Sequence, residues 1–281
     1  MTKFIAEVSS NHNRSLKRCL EFVKVAKKIG CYAIKFQLFK IDNLFSREVL
    51  EKSAEHRKRK MWELPYEFIP VIKKECMKRK IKFGCTPFDL DAVRFLKKYV
   101  DFYKISSYEI LWNNLLEECA KSKKPVIFST GMANLNEILE AKKILKKNGC
   151  KDITTLHCIS EYPADIKSSN LHFFKILKEK LKIKVGWSDH TKNELFLAFL
   201  CNHFDIEYLE FHLDLDKKGY EYGPGHCWLP NEIEKIINFQ KKIKLIRDNK
   251  SYIKKFSKVE KKERLWRTDP QDGLRPFRAL R

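Results

Sequence analysis

Tyr208-Leu209-Glu210-Phe211-His212-Leu213 alternates between two chemistries. Successive side chains on a strand point to opposite faces, so Leu209, Phe211 and Leu213 share one face and Glu210 and His212 the other. An apolar face for packing helices, backed by ionisable groups, is what a parallel barrel strand needs near its C-terminal end. The same alternation occurs just upstream, where Ser188 and His190 share a face in Ser188-Asp189-His190-Thr191. Two histidines at the ends of two successive strands direct the reading toward a barrel enzyme.

Outward from that stretch, strand-like and helix-like segments alternate along most of the chain. Strands are predicted over Phe4–Ser10, Cys31–Gln37, Ile81–Phe88, Phe102–Ser107, Pro125–Gly131, Ile153–Ser160, Ile183–Asp189 and Ile206–Leu213. Amphipathic helices are predicted between them, such as Ser15–Ile29 closed by Gly30 and Asn134–Lys147 closed by Asn148-Gly149. A basic insertion, His56-Arg57-Lys58-Arg59-Lys60, precedes the helix predicted over Tyr66–Arg79. The count predicts an α/β fold: a single (β/α)8 TIM barrel over residues 1–248, then a basic C-terminal arm over 249–281 that forms no separate domain. The arm shows no helical periodicity. A doubly wound sheet is the rival, but no G-x-G-x-x-G or P-loop motif follows any strand.

With 281 residues and 43% hydrophobic content, the chain can bury a large core. No apolar stretch approaches the roughly 20 residues that span a bilayer. The start, Met1-Thr2-Lys3-Phe4-Ile5-Ala6-Glu7, carries an early acid and does not resemble a secretory signal, so a cytoplasmic protein is expected. Nine cysteines form an odd set with no C-x-x-C pair; reduced core thiols are expected, Cys85 and Cys158 among them. The net charge of +22 would suit a nucleic-acid binder. The lysines nevertheless fall at helical spacings, as in Lys24, Lys27 and Lys28 or Lys142, Lys143, Lys146 and Lys147, which favours solvated helix faces. Neither nucleic acid nor a membrane is the expected partner, and the positive field would help to draw in an anionic substrate.

Parity also selects the inner residues of the other strands. Glu7, Lys35, Gln37, Lys104, Ser129, Ser188 and His190 point inward, and the loop after strand four supplies Ser107 and Glu109. A buried lysine without a partner is costly. Two inward lysines among hydroxyls therefore suggest a bound phosphate or carboxylate; the alternative is a salt bridge to Glu7 or Glu109. His190 and His212, with Glu210 and Asp189 close by, fit a divalent cation with open positions, and acid–base catalysis or a core role is the other reading. Cys227, in Gly223-Pro224-Gly225-His226-Cys227, leaves a thiolate ligand and zinc open; His157 and His226 are further candidates.

Several blocks in order resemble the sialic acid synthase family across residues 4–246. They are Ile5-Ala6-Glu7 with Asn11-His12-Asn13, Lys35-Phe36-Gln37, Thr86-Pro87-Phe88-Asp89 and Tyr103-Lys104-Ile105, then Ser129-Thr130-Gly131-Met132, Leu156-His157-Cys158, Tyr162-Pro163, Ser188-Asp189-His190-Thr191, His212 and Gly223-Pro224. The resemblance implies condensation of phosphoenolpyruvate with an N-acetylated hexosamine, such as N-acetylmannosamine or a 2,4-diacetamido hexose, to a nine-carbon 2-keto-3-deoxy acid and phosphate. It implies that Lys35, Thr86, Lys104, Ser107, Ser129 and Ser188, with Ser160 assisting, hold phosphoenolpyruvate. It implies that Glu7, Gln37, Glu109 and Tyr162 meet the sugar, that His190 and His212 bind Mn²⁺ or Mg²⁺, and that Glu7, Lys35, Lys104 and Glu109 are the catalytic set. A homodimer is the implied assembly.

The chain departs from the family pattern at Arg14, where Gly is usual, at Gly225, where Asp is usual, and at Phe211, where a base is usual. The family's C-terminal antifreeze-like domain is also expected to be missing. One of Arg264, Arg267, Arg275 and Arg278, set among Leu265, Trp266, Leu274 and Phe277, would stand in for that domain's arginine if the arm docks on a neighbouring barrel; a frayed basic tail is the plainer reading. These departures put the acceptor sugar in question and leave two alternatives open. One is condensation with another aldose or aldose phosphate. The other is a degenerate barrel acting as a binding or regulatory protein.

Overall fold

A computed structural model describes residues 2–248 and 255–281. Eight parallel strands close into one ring: β1 (Lys3–Glu7), β2 (Ala33–Leu38), β3 (Lys82–Pro87), β4 (Phe102–Ile105), β5 (Val126–Ser129), β6 (Ile153–His157), β7 (Lys184–Asp189) and β8 (Tyr208–His212). Closure comes from β8 on β1, in a register that sets Glu7 beside His212. The fold is a (β/α)8 barrel, as the strand count predicted.

Eight longer helices follow the strands in turn: α1 (Leu16–Lys28), α2 (Phe68–Arg79), α3 (Leu90–Leu96), α4 (Asn113–Lys121), α5 (Leu135–Lys147), α6 (Leu171–Leu181), α7 (Glu194–His203) and α8 (Pro230–Asp248). Side-chain caps fix where several begin. Ser15, Asp89, Asn170 and Asn193 each accept a backbone N–H of the first turn, and Asn134 with Glu137 completes a reciprocal capping box. The basic insertion is helical: it runs from the short helix Ala54–Lys58 into a 3₁₀ turn at Arg59–Trp62, and another short helix, Arg47–Lys52, precedes it.

Strand parity sorts the core into two clusters. Outward residues such as Phe4, Ile34, Phe36, Phe83, Tyr103, Phe128, Trp187, Leu209 and Phe211 join the helix-facing core. Inside the ring, Ile5, Ala33, Phe102, Ile127, Leu156 and Tyr208 form a separate apolar layer. Each lies two residues before the next inward position on its strand, so this plug seals the N-terminal end and the following layer is polar. Gly84 makes room for it: a Cβ there would lie 2.2 Å from the Phe102 ring.

Residues 242–281 form a second compact unit. The predicted start of the arm, 249–254, lies outside the described residues. Against the expectation of an aperiodic arm, this unit holds a capped helix at Lys258–Glu263 and 3₁₀ turns at Arg264–Trp266 and Arg278–Leu280. Its arginines are used internally. Arg278 lies 3.2 Å from Asp272, Arg281 also pairs with Asp272, and Arg264 and Arg267 lie over the rings of Phe256 and Phe277.

Candidate active site

Above the apolar plug sits a layer of four charges. The Lys35 ammonium pairs with Glu7 and donates to Thr86 Oγ1 at 3.0 Å. The Lys104 ammonium lies 3.2 Å from Glu210 Oε1, which also accepts from Ser188 Oγ at 3.2 Å. All four charged side chains are almost wholly buried. Of the two alternatives for Lys35, the ion pair with Glu7 is formed; Lys104 takes Glu210 rather than Glu7 or Glu109. Burial would raise Glu210, but the Lys104 and Lys35 ammoniums hold its carboxyl down at about 2. Glu7 moves the other way, raised by burial with a further push from Glu210, against the pull of Lys35.

Hydroxyls collect beside this layer. Gly131 N–H donates to Ser107 Oγ at 3.0 Å, and Ser107 Oγ lies 3.2 Å from Cys158 Sγ. A Cβ on Gly131 would stand 2.2 Å from Ser160 Oγ and 2.9 Å from Ser107 Oγ, so glycine lets these hydroxyls converge. The buried hydroxyls of Ser129 and Ser160 have no hydrogen-bond partner among the described residues. Buried polar atoms are nearly always satisfied, so two such hydroxyls beside two ammoniums point to an anion. Glu109, on the 3₁₀ turn Ser107–Glu109, accepts from Ser106 and is raised by burial. Gln37 is half-buried at the end of β2, in register with Thr86.

The histidines line the mouth on the β7–β8 side. His190 Nδ1 lies 2.6 Å from the Ile159 carbonyl; a carbonyl only accepts, so Nδ1 carries the proton and Nε2 keeps its lone pair. His212 Nδ1 faces Glu221 Oε2 at 3.2 Å, and Glu221 Oε1 accepts from Ser9 Oγ at 2.6 Å. Tyr162 covers the group, its ring 4.2 Å from His190 and 5.1 Å from His226. Burial, with His212 nearby, pushes His190 down to about 3 and His226 to about 4. Burial would also lower His212, but the Glu221 carboxylate outweighs it and the imidazole is raised.

The side chains here fit a divalent ion. One ligand atom each from His212, Glu221, His226 and Cys227 lies within 4.8 Å of the others, and His226 Nδ1 is buried without a hydrogen-bond partner. His190 stands outside this group, its ring centroid 5.4 Å from that of His212.

Two readings from the sequence need correction, those of Asp189 and His157. Asp189 does not stand with the histidines: its carboxylate faces outward and accepts from Trp228 Nε1 at 3.0 Å and Thr191 Oγ1 at 2.7 Å. Glu210 is close to the imidazoles, as expected, and acts electrostatically with His190 and His212, while its direct partners are Lys104 and Ser188. His157 also points outward, with Nε2 2.9 Å from the Ser169 carbonyl and its ring against Trp187. Glu221 was missed, because it lies in a long loop after β8 where no periodicity marks a face. The departures also find places. Arg14 keeps the left-handed backbone that glycine would favour, at φ 51, and its guanidinium reaches the Lys60 carbonyl at 2.9 Å. Phe211 belongs to the helix-facing core.

The chain is 35% identical over 277 residues to N,N'-diacetyllegionaminic acid synthase of Campylobacter jejuni, covering 93% of this chain and 81% of the relative. It is 40% identical over 240 residues to the uncharacterized protein MJ1065 of Methanocaldococcus jannaschii, covering 84% of this chain and 69% of that protein. The crystal structure of N-acetylneuraminic acid (sialic acid) synthetase from Leptospira borgpetersenii, in complex with citrate, superposes with a TM-score of 0.78 at 30% identity, covering 93% of this chain and 90% of that one. Residues 22–252 match the NeuB family, and with these relatives they establish that the chain belongs to it, as an enzyme of the sialic acid synthase type.

Proposed function

We propose that the chain condenses phosphoenolpyruvate with an N-acetylated hexosamine, giving a nine-carbon 2-keto-3-deoxy sugar acid and phosphate in a metal-dependent reaction. The observation that carries this reading is the inner layer itself: two buried ammoniums beside unpartnered hydroxyls, at the mouth of a closed barrel and next to a cluster of imidazoles. Synthases of legionaminic and pseudaminic acids stand among the relatives at 33–36% identity, so a 2,4-diacetamido hexose is the favoured acceptor and N-acetylmannosamine the second.

In this reading Lys35, Thr86, Lys104 and Ser188 take the carboxylate and phosphate on one side, with Ser107, Ser129 and Ser160 on the other. Glu7, Gln37, Glu109 and Tyr162 meet the sugar. Carbon 3 of phosphoenolpyruvate attacks the sugar aldehyde, forming the new C–C bond while the aldehyde oxygen gains a proton. Carbon 2, left electron-poor, takes up water, and the resulting hemiketal expels phosphate. The ammoniums stabilise the anionic groups through these steps, and burial of the layer strengthens that effect. Glu7 and Glu109, both raised by burial, are the carboxyls able to move protons near the sugar. His212, with the neighbouring imidazoles of His190 and His226, would hold a divalent ion, which would supply Lewis-acid polarisation of the sugar carbonyl.

Phosphate release from phosphoenolpyruvate, measured with a panel of aldoses and divalent metals, tests the reading. The expected result is release only with a 2-acetamido or 2,4-diacetamido hexose, reduced by about a hundredfold or more in Lys104→Met. Release with a simple aldose phosphate instead would support the other condensation, and no release with any aldose would favour a binding role.

A further inference from the structure

Seven of the nine cysteines join the helix-facing core, Cys85 among them, but Cys158 belongs to neither apolar cluster. Strand parity explains the difference. Leu156 lies in the inner plug, and Cys158 continues its face two residues on, while His157 between them turns outward. The thiol is buried and stands among the site's hydroxyls, with Sγ 3.2 Å from Ser107 Oγ. A Cβ on Gly131 would lie 2.2 Å from Ser160 Oγ, 2.9 Å from Ser107 Oγ and 3.1 Å from Cys158 Sγ, so the three atoms surround one point. Ser129, two residues before Gly131 and 3% exposed, adds a hydroxyl with no partner among the described residues.

Hydrogen counting gives the thiol a task. Ser107 Oγ has one hydrogen to donate and two lone pairs. The Gly131 N–H takes one lone pair at 3.0 Å. In the contact seen here, the hydroxyl hydrogen has Cys158 Sγ as its acceptor. An anion seated between the hydroxyls is a far stronger acceptor than sulfur and would draw that hydrogen to itself. The S–H of Cys158 would then donate to the lone pair of Ser107 that is left open. Donor and acceptor thus exchange roles across the same 3.2 Å, and no buried lone pair goes unmet.

We propose that Cys158 is a positioning residue of the anion subsite: it holds the Ser107 hydroxyl, and their hydrogen bond reverses when a phosphate or carboxylate binds. This rests on the reading that the inner layer takes the anionic groups of phosphoenolpyruvate, and goes beyond it in giving a thiol a part in that binding.

Two substitutions of nearly equal volume separate this role from packing. Cys158→Ala removes the hydrogen-bonding group, whereas Cys158→Ser keeps a donor and an acceptor. Calorimetry with inorganic phosphate and with phosphoenolpyruvate reads the difference in the full chain. Cys158→Ser should bind both within about twofold of the unaltered protein, and Cys158→Ala about five- to tenfold more weakly. Equal affinity in the two variants would overturn the proposal. Infrared difference spectra of the unaltered protein give a second reading, independent of how either variant folds. The S–H stretch lies in a window clear of other protein bands, and it falls in frequency and gains intensity when a thiol becomes a donor. Phosphoenolpyruvate should produce that change, and Cys158→Ser should lack it. Binding with no S–H change would overturn the proposal and leave the anion-site reading standing. Failure of the unaltered protein to bind either phosphate or phosphoenolpyruvate would overturn both.

Discussion

Replacing Glu210 by glutamine removes one charge from the buried layer and leaves the Lys104 ammonium facing a neutral amide. The Lys104–Glu210 pair is separated by 3.2 Å, so at an effective dielectric of about 20 their attraction is about 5 kcal/mol. A second route gives a similar size. Against burial, Lys104 and Lys35 hold the Glu210 carboxyl at about 2 instead of the ordinary 4.5, worth about 3 kcal/mol. Removing one partner of a buried pair typically costs about 3–5 kcal/mol. For a chain of 281 residues, with an unfolding entropy near 0.6 kcal/mol/K, that lowers Tm by roughly 5–9 °C. The carboxyl is depressed in the folded state, so its contribution is complete above pH 4.5 and is lost as pH falls toward 2. The stability gap between the parent and Glu210→Gln should be flat from pH 7 to about 5.5 and narrow below 4.5. Urea unfolding followed by circular dichroism reads both effects. Adding Lys104→Met should recover part of the loss, with a coupling of about 2 kcal/mol. A loss below about 1 kcal/mol, a gap unchanged down to pH 3.5, or additive single changes would each refute the account.

Gly186→Ala should destabilise by about 3 kcal/mol, measured by thermal unfolding, because the new Cβ meets the Tyr208 carbonyl oxygen of the adjoining strand at 2.4 Å and backbone cannot step aside. His12 is buried and lowered to about 4, chiefly by burial, while its Nδ1 accepts from the Arg14 N–H at 3.0 Å. The unfolded chain takes up this proton below about pH 6.5 and the folded chain does not until about 4, so stability should fall with pH across that window. The contribution approaches about 1.4 kcal/mol per pH unit, and urea titrations should show a shallower slope in His12→Gln.

The barrel and its inner layer were readable because both rest on period-two alternation. Tyr208–Leu213 alone assigns Glu210 and His212 to one face and Leu209 and Phe211 to the other, and the two clusters obey it. Applied strictly, the same rule would have turned Asp189 away from Ser188 and His190, since it lies between them. What parity does not encode is pairing. That Lys104 meets Glu210 depends on the diameter of the ring, across which residues about a hundred positions apart converge. Glu221 was harder still, because the loop between Leu213 and Trp228 has no periodic face and its course is set by hydrogen bonds such as that from the Glu221 N–H to Asn11 Oδ1 at 2.8 Å. Lys258–Glu263 is shorter than two helical turns, too short for an amphipathic stripe to register.

The pairing of Lys35 with Glu7 has a consequence for the arrival of any anion. A dianion seated on Lys35 competes with Glu7 for the same ammonium. Glu7 is already raised by burial and by Glu210, so the loss of its counter-charge drives it to collect hydrogen ions from solution. Calorimetric heats of phosphoenolpyruvate binding should then track the ionisation enthalpy of the buffer, and affinity should weaken in alkali. By this coupling the protein would sense acidity through a carboxyl group rather than through any of its imidazoles.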